Sequence, residues 1–238
     1  MAGLKYSEEL ESILAPYRAE YSQIVRDWIE SGAFGATYSA YLVESFHQMK
    51  HSCSLLSYAC ARQDHNHLEL QESLARHEAE ETGHDAWLLD DLEHLGVDRR
   101  QALASPPLHE TINLIGSQLY VITYLHPTGL LGYLYALESR PPTKEYLTLL
   151  RKAFDIPPKA MTFLIRHGQE DVEHKRELEC MLDNHVVNPQ GREAVIISAT
   201  TGLSNVNRLL ARVRSGEYAN CLPQVQAAFP VNAEQGQS

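Results

Sequence analysis

The chain has 238 residues, of which 44% are apolar and 21% charged: enough to bury a core within one domain, and too apolar for a disordered chain. Its formal charge of −11 speaks against nucleic-acid and anionic-membrane partners, both of which select basic patches. Four scattered cysteines (Cys53, Cys60, Cys180, Cys221) without Cys-x-x-Cys spacing read as buried free thiols of a reducing compartment.

The opening MAGLKYSEELES has no apolar stretch of the secretion-signal kind, so a cytoplasmic protein is expected. Strand patterns are nearly absent from the rest of the chain. The apolar period predicts helices over residues 7–30, 36–62 and 67–95, then 108–125 with a continuation over 129–138, and finally 143–154, 159–185 and 191–215. Ser31-Gly32, Gly35, Gly96 and the pairs Pro106-Pro107, Pro141-Pro142 and Pro157-Pro158 punctuate them. Residues 112–137 are long enough to span a membrane, but Asn113, Gln118, His126 and Pro127 interrupt them, so a helix pair buried on all sides is expected instead. No linker divides the chain. One all-α domain over residues 1–218 is expected, with a fraying tail over 219–238.

Two nonapeptides carry the chemistry: RHEAEETGH at residues 76–84 and RHGQEDVEH at residues 166–174. Each holds His-x-x-x-acid-x-x-His, namely His77, Glu81, His84 and then His167, Asp171, His174. On the third predicted helix the seam reads Leu70, Leu74, His77, Glu81, His84, Leu88, Leu92 (or Asp91), Leu95. On the sixth it reads Ala160, Leu164, His167, Asp171, His174, Leu178, Met181. Polar groups thus interrupt two faces that should pack into the core. An unsatisfied neutral polar group there costs about 1–3 kcal/mol, and an unpaired charge more. Mutual His–acid hydrogen bonds would lower that cost. A cation shared between the helices would satisfy all the groups together, and imidazole with carboxylate suits iron, manganese or zinc.

Other acids can join. Glu138 is the one acidic residue of an apolar stretch lined by Leu130, Leu131, Leu134 and Tyr135. Glu44 shares a predicted face with His47 and His51, and it would bring two divalent ions with Glu81, Glu138 and Asp171 to neutrality. Arg76 and Arg166 are turned about 100° from the first histidine of their repeats, so a solvated or interhelical ion-pair role is expected of them. Tyr120, Tyr124, Tyr133 and Tyr135 read mostly as core, with one or two free to line a pocket. Pro127, Gly129 and Gly132 permit a break in the central segment.

At Glu81-x-x-His84, Glu138 and above all His167-x-x-x-Asp171-x-x-His174, the sequence resembles the haem-oxygenase-like diiron oxidases and oxygenases, relatives by fold of the TenA thiaminases and the PQQ-synthesis oxidase. The resemblance covers roughly residues 36 to 185. It implies a haem-oxygenase-like bundle of about seven helices that holds two Fe(II) ions and uses O2 as co-substrate through a peroxo-diferric species. It further implies that His84, Glu138 and His174 hold one iron, that Glu81, His167 and Asp171 complete the other, and that a carboxylate such as Glu138 bridges. His77 departs from the pattern, some members having a carboxylate there; it reads as a ligand, an outer partner orienting Glu81 or a substrate contact, the last two being favoured. His51 and Tyr133 are expected in similar roles. The implied substrate is a small organic molecule, amino-acid-like or fatty-acid-like, from specialised metabolism; a homodimer is expected. The rival readings are a metal-free enzyme of the same fold, either a hydrolase using Cys53 or Cys60 as nucleophile or a cofactorless oxidase with a His-rich pocket, and a non-enzymatic iron-binding bundle.

Overall fold

The computed structural model describes residues 5–64 and 67–216. Cys221 and the tail expected to fray lie outside the described residues. Helix α1 (Tyr6–Glu30) is followed by α2 (Ala33–Met49), α3 (Ser52–Arg62), α4 (Leu68–Glu81), α5 (His84–His94), the short α6 (Arg99–Ala104) and α7 (His109–Tyr120). A π-helical turn (Val121–Leu125) and a 3-10 turn (Pro127–Gly129) lead into α8 (Leu130–Glu138). Next come α9 (Lys144–Ala153), a 3-10 turn (Pro158–Ala160), α10 (Thr162–His185) and α11 (Pro189–Ser215). Among the described residues there is no strand, and no helix is long and apolar enough to cross a membrane.

The apolar side chains gather in two cores. One joins Leu10, Leu14, Leu56, Leu70, Leu74, Leu114, Leu131, Leu178, Met181 and Val195; the other joins Phe34, Leu42, Leu88, Leu92, Leu147, Phe163 and Leu210. Along the chain, α4 begins in the first core and α5 ends in the second, while α10 runs from the second (Phe163) to the first (Leu178, Met181). The two segments are therefore antiparallel. Their polar stretches, His77 to His84 and His167 to His174, both fall where one core gives way to the other.

Two predicted helices are broken. Residues 36–62 divide at Lys50-His51. Residues 67–95 divide at Thr82-Gly83, where Thr82 is extended and Gly83 adopts φ +92°, a left-handed conformation natural to glycine and costly to other residues. His84 is thus the first residue of a new helix, not the third member of one continuous face. The central segment is also less buried than expected. Helix α8 is buried nearly all round, but α7 and the π-turn present Ile112, Leu119, Tyr120 and Tyr124 to solvent. Tyr133 and Tyr135 are core residues as expected; Tyr120 and Tyr124 are not.

Helix α8 lies against α11 with almost no room. A Cβ built on Gly132 would come 2.1 Å from the Val195 carbonyl oxygen and 3.1 Å from the Ala199 nitrogen, both backbone atoms that cannot rotate away. Gly132→Ala is therefore expected to lower the urea-unfolding free energy by about 1–3 kcal/mol or more, as overpacking does. Gly116, within α7 and with nothing within 4 Å of its Cβ position, gives the opposite expectation: Gly116→Ala should raise it by about 1 kcal/mol through helix propensity.

Candidate metal centre

Each polar segment is anchored at its apolar ends. Asp91 of α5, fully buried, accepts from the backbone N–H of Thr162 (3.0 Å) and Phe163 (2.9 Å), capping α10 just before His167. Leu70 and Leu74 hold α4 in the first core and Leu178 and Met181 hold α10 there, one or two turns from the polar groups. Burial then forces the groups between these anchors to face one another.

They meet crosswise. Glu138 Oε2 lies 3.4 Å from His77 Nε2 and 3.4 Å from His174 Nδ1. Glu81 Oε2 lies 3.2 Å from His84 Nδ1 and 3.5 Å from His167 Nε2. Each group thus combines the first histidine of one repeat with the last histidine of the other, as two antiparallel copies of one motif must. The ring centroids are 4.4 Å apart for His77 and His174, and 5.2 Å for His84 and His167. Two carboxylates span the groups. Glu81 Oε1 lies 3.7 Å from His174 Nδ1, and Asp171 Oδ1 lies 3.1 Å from His167 Nδ1 and 3.6 Å from His174 Nδ1.

These atoms fit a metal better than they fit each other. Seven buried atoms of the cluster have no hydrogen-bond partner: both nitrogens of His77, Glu81 Oε1, Glu138 Oε2, His167 Nε2, Asp171 Oδ1 and His174 Nδ1. Glu81 Oε2 and His84 Nδ1 do make a hydrogen bond; most of the other contacts are close but misaligned. Ligands each about 2.0–2.2 Å from a common ion stand about 3.0–3.5 Å from one another, and the carboxylate–histidine separations within both groups match. His77, Glu138 and His174, and likewise Glu81, His84 and His167, each offer atoms within 4.8 Å of one another.

Electrostatics states the same conflict. Burial pulls the histidines down, yet the facing carboxylates outweigh it. Asp171 and Glu81 push His167 up to about 11, Asp171 and Glu138 push His174 up to about 10, and Glu138 raises His77. Burial raises Glu81 and Glu138, but the facing histidines more than reverse this and hold both below the usual carboxylate range.

The structure departs from the sequence-based assignment at several positions. His77 lies inside a group with Glu138 and His174, where the resemblance placed His84; His84 instead joins Glu81 and His167. Glu81, rather than Glu138, has its two oxygens directed to different groups. Glu44 is not brought to the cluster. Its carboxylate accepts from the Leu108 N–H (3.1 Å) and the Thr111 hydroxyl (2.6 Å), closing the N-terminus of α7, and burial pushes it up to about 7. Glu44 and His47 share a buried face of α2, but the helix ends before His51, and α7 occupies the place that a metal was expected to take. His47 meets Ser105 Oγ (3.0 Å), and His51 is exposed at the head of α3. Arg76 forms an interhelical ion pair with Glu177 (3.5 Å), while Arg166 lies over Trp87.

A cavity of about 370 Å3 adjoins the cluster. Glu81, Glu138, His167 and Asp171 form part of its lining, and Trp28, Phe34, Tyr41, Tyr133, Leu137, Phe163, Leu203 and Leu210 contribute apolar walls. The Tyr133 hydroxyl accepts from Gln48 Nε2 (3.1 Å), also in the lining, a partnership that periodicity alone gave no signal for. A smaller cavity of about 280 Å3 beside Glu8, Glu11 and Lys175 is lined by none of the cluster residues.

Residues 39–205 match the family model described as iron-containing redox enzyme. The chain belongs to that family. Among solved structures, a domain of unknown function with a haem-oxygenase-like fold from Shewanella denitrificans OS217 is similar over 96% of each chain, with 22% identity and a TM-score of 0.77. A CADD-like protein of unknown function from Nostoc punctiforme PCC 73102 is similar over 89% of this chain and 96% of its own, with 17% identity and a TM-score of 0.61. The fold of this family member is therefore haem-oxygenase-like. No curated protein matches the chain.

The raised histidines set a pH expectation. Their stabilising pairs are fully present below the unfolded value of about 6.5 and are lost as pH rises through the folded values of about 10 and about 11. In chelator, the melting temperature should fall as pH rises from about 6.5 to about 10. The upward shift produced by a divalent ion should grow over the lower part of that range, because a metal ligand must be neutral imidazole. Melting curves with and without Mn(II) across this range check both.

Proposed function

We propose that the protein is an O2-dependent non-haem diiron oxidase or oxygenase acting on a small organic substrate. The observation that carries this reading is the pairing of two histidine–carboxylate groups, full of unsatisfied buried atoms, beside an apolar cavity. His77, Glu138 and His174 would hold one iron; Glu81, His84 and His167 would hold the other, with Glu81 and Asp171 reaching both. Iron in such a donor set cycles between ferrous and ferric and supplies electrons to O2.

The protein's own part follows from the lining. The apolar walls exclude water from the cluster and offer surface to a hydrocarbon or aromatic portion of the substrate. Tyr133, oriented by Gln48, keeps its hydroxyl proton available for a polar group of the substrate. Arg18 lines the same cavity, but its guanidinium already donates to Glu11 (3.1 Å), Ala136 O (3.1 Å) and Ser139 Oγ (2.6 Å). With Glu44 capping α7, two divalent ions outweigh the three cluster carboxylates by one charge. Hydroxide or an anionic head group on the substrate would balance it, which suits an amino-acid-like or fatty-acid-like molecule.

The cavity also speaks for an enzyme over an iron store. The thiol alternative has little support: burial raises Cys53, whose Sγ faces the Glu78 carbonyl (3.8 Å), and neither Cys53 nor Cys60 is in the cavity lining.

The reading is tested by loading the protein anaerobically with Fe(II), counting bound iron, and then admitting O2. About two irons per chain and rapid O2 uptake are expected, with His77→Ala reduced to about one and Glu44→Gln retaining two. Iron no higher in the parent than in a His77→Ala/His84→Ala double variant would overturn it.

A further inference from the structure

The repeated nonapeptide holds one more matched pair. Glu80 in residues 76–84 corresponds to Glu170 in residues 166–174, and each directly precedes a cluster carboxylate, Glu81 or Asp171. One residue turns a helix by about 100°, so the second acid faces the seam and the first sits at its edge. Glu80 Oε2 lies 3.4 Å from His174 Nε2, and Glu170 Oε2 lies 3.2 Å from His84 Nε2. The contacts are reciprocal: an acid from each repeat reaches the last histidine of the other. In both histidines this is the nitrogen opposite the one that meets the cluster. His174 turns Nδ1 toward Glu138 and Asp171, and His84 turns Nδ1 toward Glu81.

A neutral imidazole carries its proton on one nitrogen and offers a lone pair on the other. An acceptor on the outward side therefore decides which nitrogen a metal can use and fixes the plane of the ring. We propose that Glu80 and Glu170 are positioning residues: each would accept the outward N–H of a histidine from the opposing segment, so that its Nδ1, which faces the cluster carboxylates, is the nitrogen left to a metal. The proposal rests on the metal reading above and adds to it the residues that set the histidine tautomers. Chance contact between surface acids and histidines would not repeat at equivalent positions on both sides of a pseudo-twofold crossing. Both carboxylates are close to half exposed, 44% and 43%, so as ion pairs alone they add little to folding. Their effect belongs in metal affinity.

Co(II), titrated without oxygen into the full-length protein, serves as the spectroscopic probe. Glu80→Ala and Glu170→Ala should weaken binding by roughly 10–100-fold and alter the visible absorption of the bound ion. Glu80→Gln and Glu170→Gln should recover much of the loss, since the amide oxygen still accepts the N–H. Glu173→Ala, which removes an exposed partner of Arg176 on the same helix, should bind as the parent does. Metal-free melting temperatures should not differ across the set. Alanine variants with the parent's affinity and spectrum would overturn the proposal, as would losses that merely track a fall in metal-free melting temperature. A parent that binds no Co(II) would overturn the metal reading, and this proposal with it.

Discussion

A cluster of buried histidines and carboxylates sits where two apolar cores meet, and the cost of leaving those groups unsatisfied governs the rest of the structure. A bundle this apolar could close over that junction with leucine and gain stability. Instead, α4, α5, α8 and α10 deliver imidazoles and carboxylates whose facing atoms are too close to ignore one another and, the Glu81–His84 hydrogen bond aside, mostly left unsatisfied by one another. The facing carboxylates raise the histidines, and the facing histidines lower the glutamates. The fold and the cluster are consequently one problem. The apolar anchors on either side, with Asp91 capping α10, keep the polar groups from escaping to solvent.

Antiparallel passage of two copies of one motif through that junction has a geometric consequence. His77 must lie opposite His174 and His84 opposite His167, because the segments run in opposite directions between the same two cores. Each group therefore draws on both repeats, and neither helix holds a complete site. Glu138, from the buried helix α8, enters at the His77–His174 side only, so the near-symmetry of the repeats ends in an asymmetric centre. The cavity touches both sides, being lined by Glu138 as well as by Glu81, His167 and Asp171, and Tyr133 and Gln48 provide a polar point in its largely apolar wall.

Much of this was legible in the sequence. The all-helical architecture followed from the apolar period, and the cluster followed from polar residues interrupting two core-facing seams. The misses have physical reasons. Thr82-Gly83 sits within a strong helical pattern, and nothing local announces that Gly83 takes a left-handed conformation rather than continuing the helix. The period on α2 did place Glu44 on a buried face, but a buried acid can meet a helix N-terminus as readily as a metal, and only the position of Leu108 and Thr111 decides which. Tyr120 and Tyr124 lie in an apolar run whose outer face proved exposed. His77 stayed open between ligand, outer partner and substrate contact because a family pattern is aligned along the chain, whereas its neighbours Glu138 and His174 come from across it.

Each proposed metal position draws on the first histidine of one repeat and the last histidine of the other. Anomalous diffraction at the iron edge, from crystals grown anaerobically with Fe(II), tests it directly. Two peaks are expected, one bounded by His77, Glu138 and His174 and one by Glu81, His84 and His167. A peak bounded by His84 together with His174, leaving His77 without a metal, would contradict it.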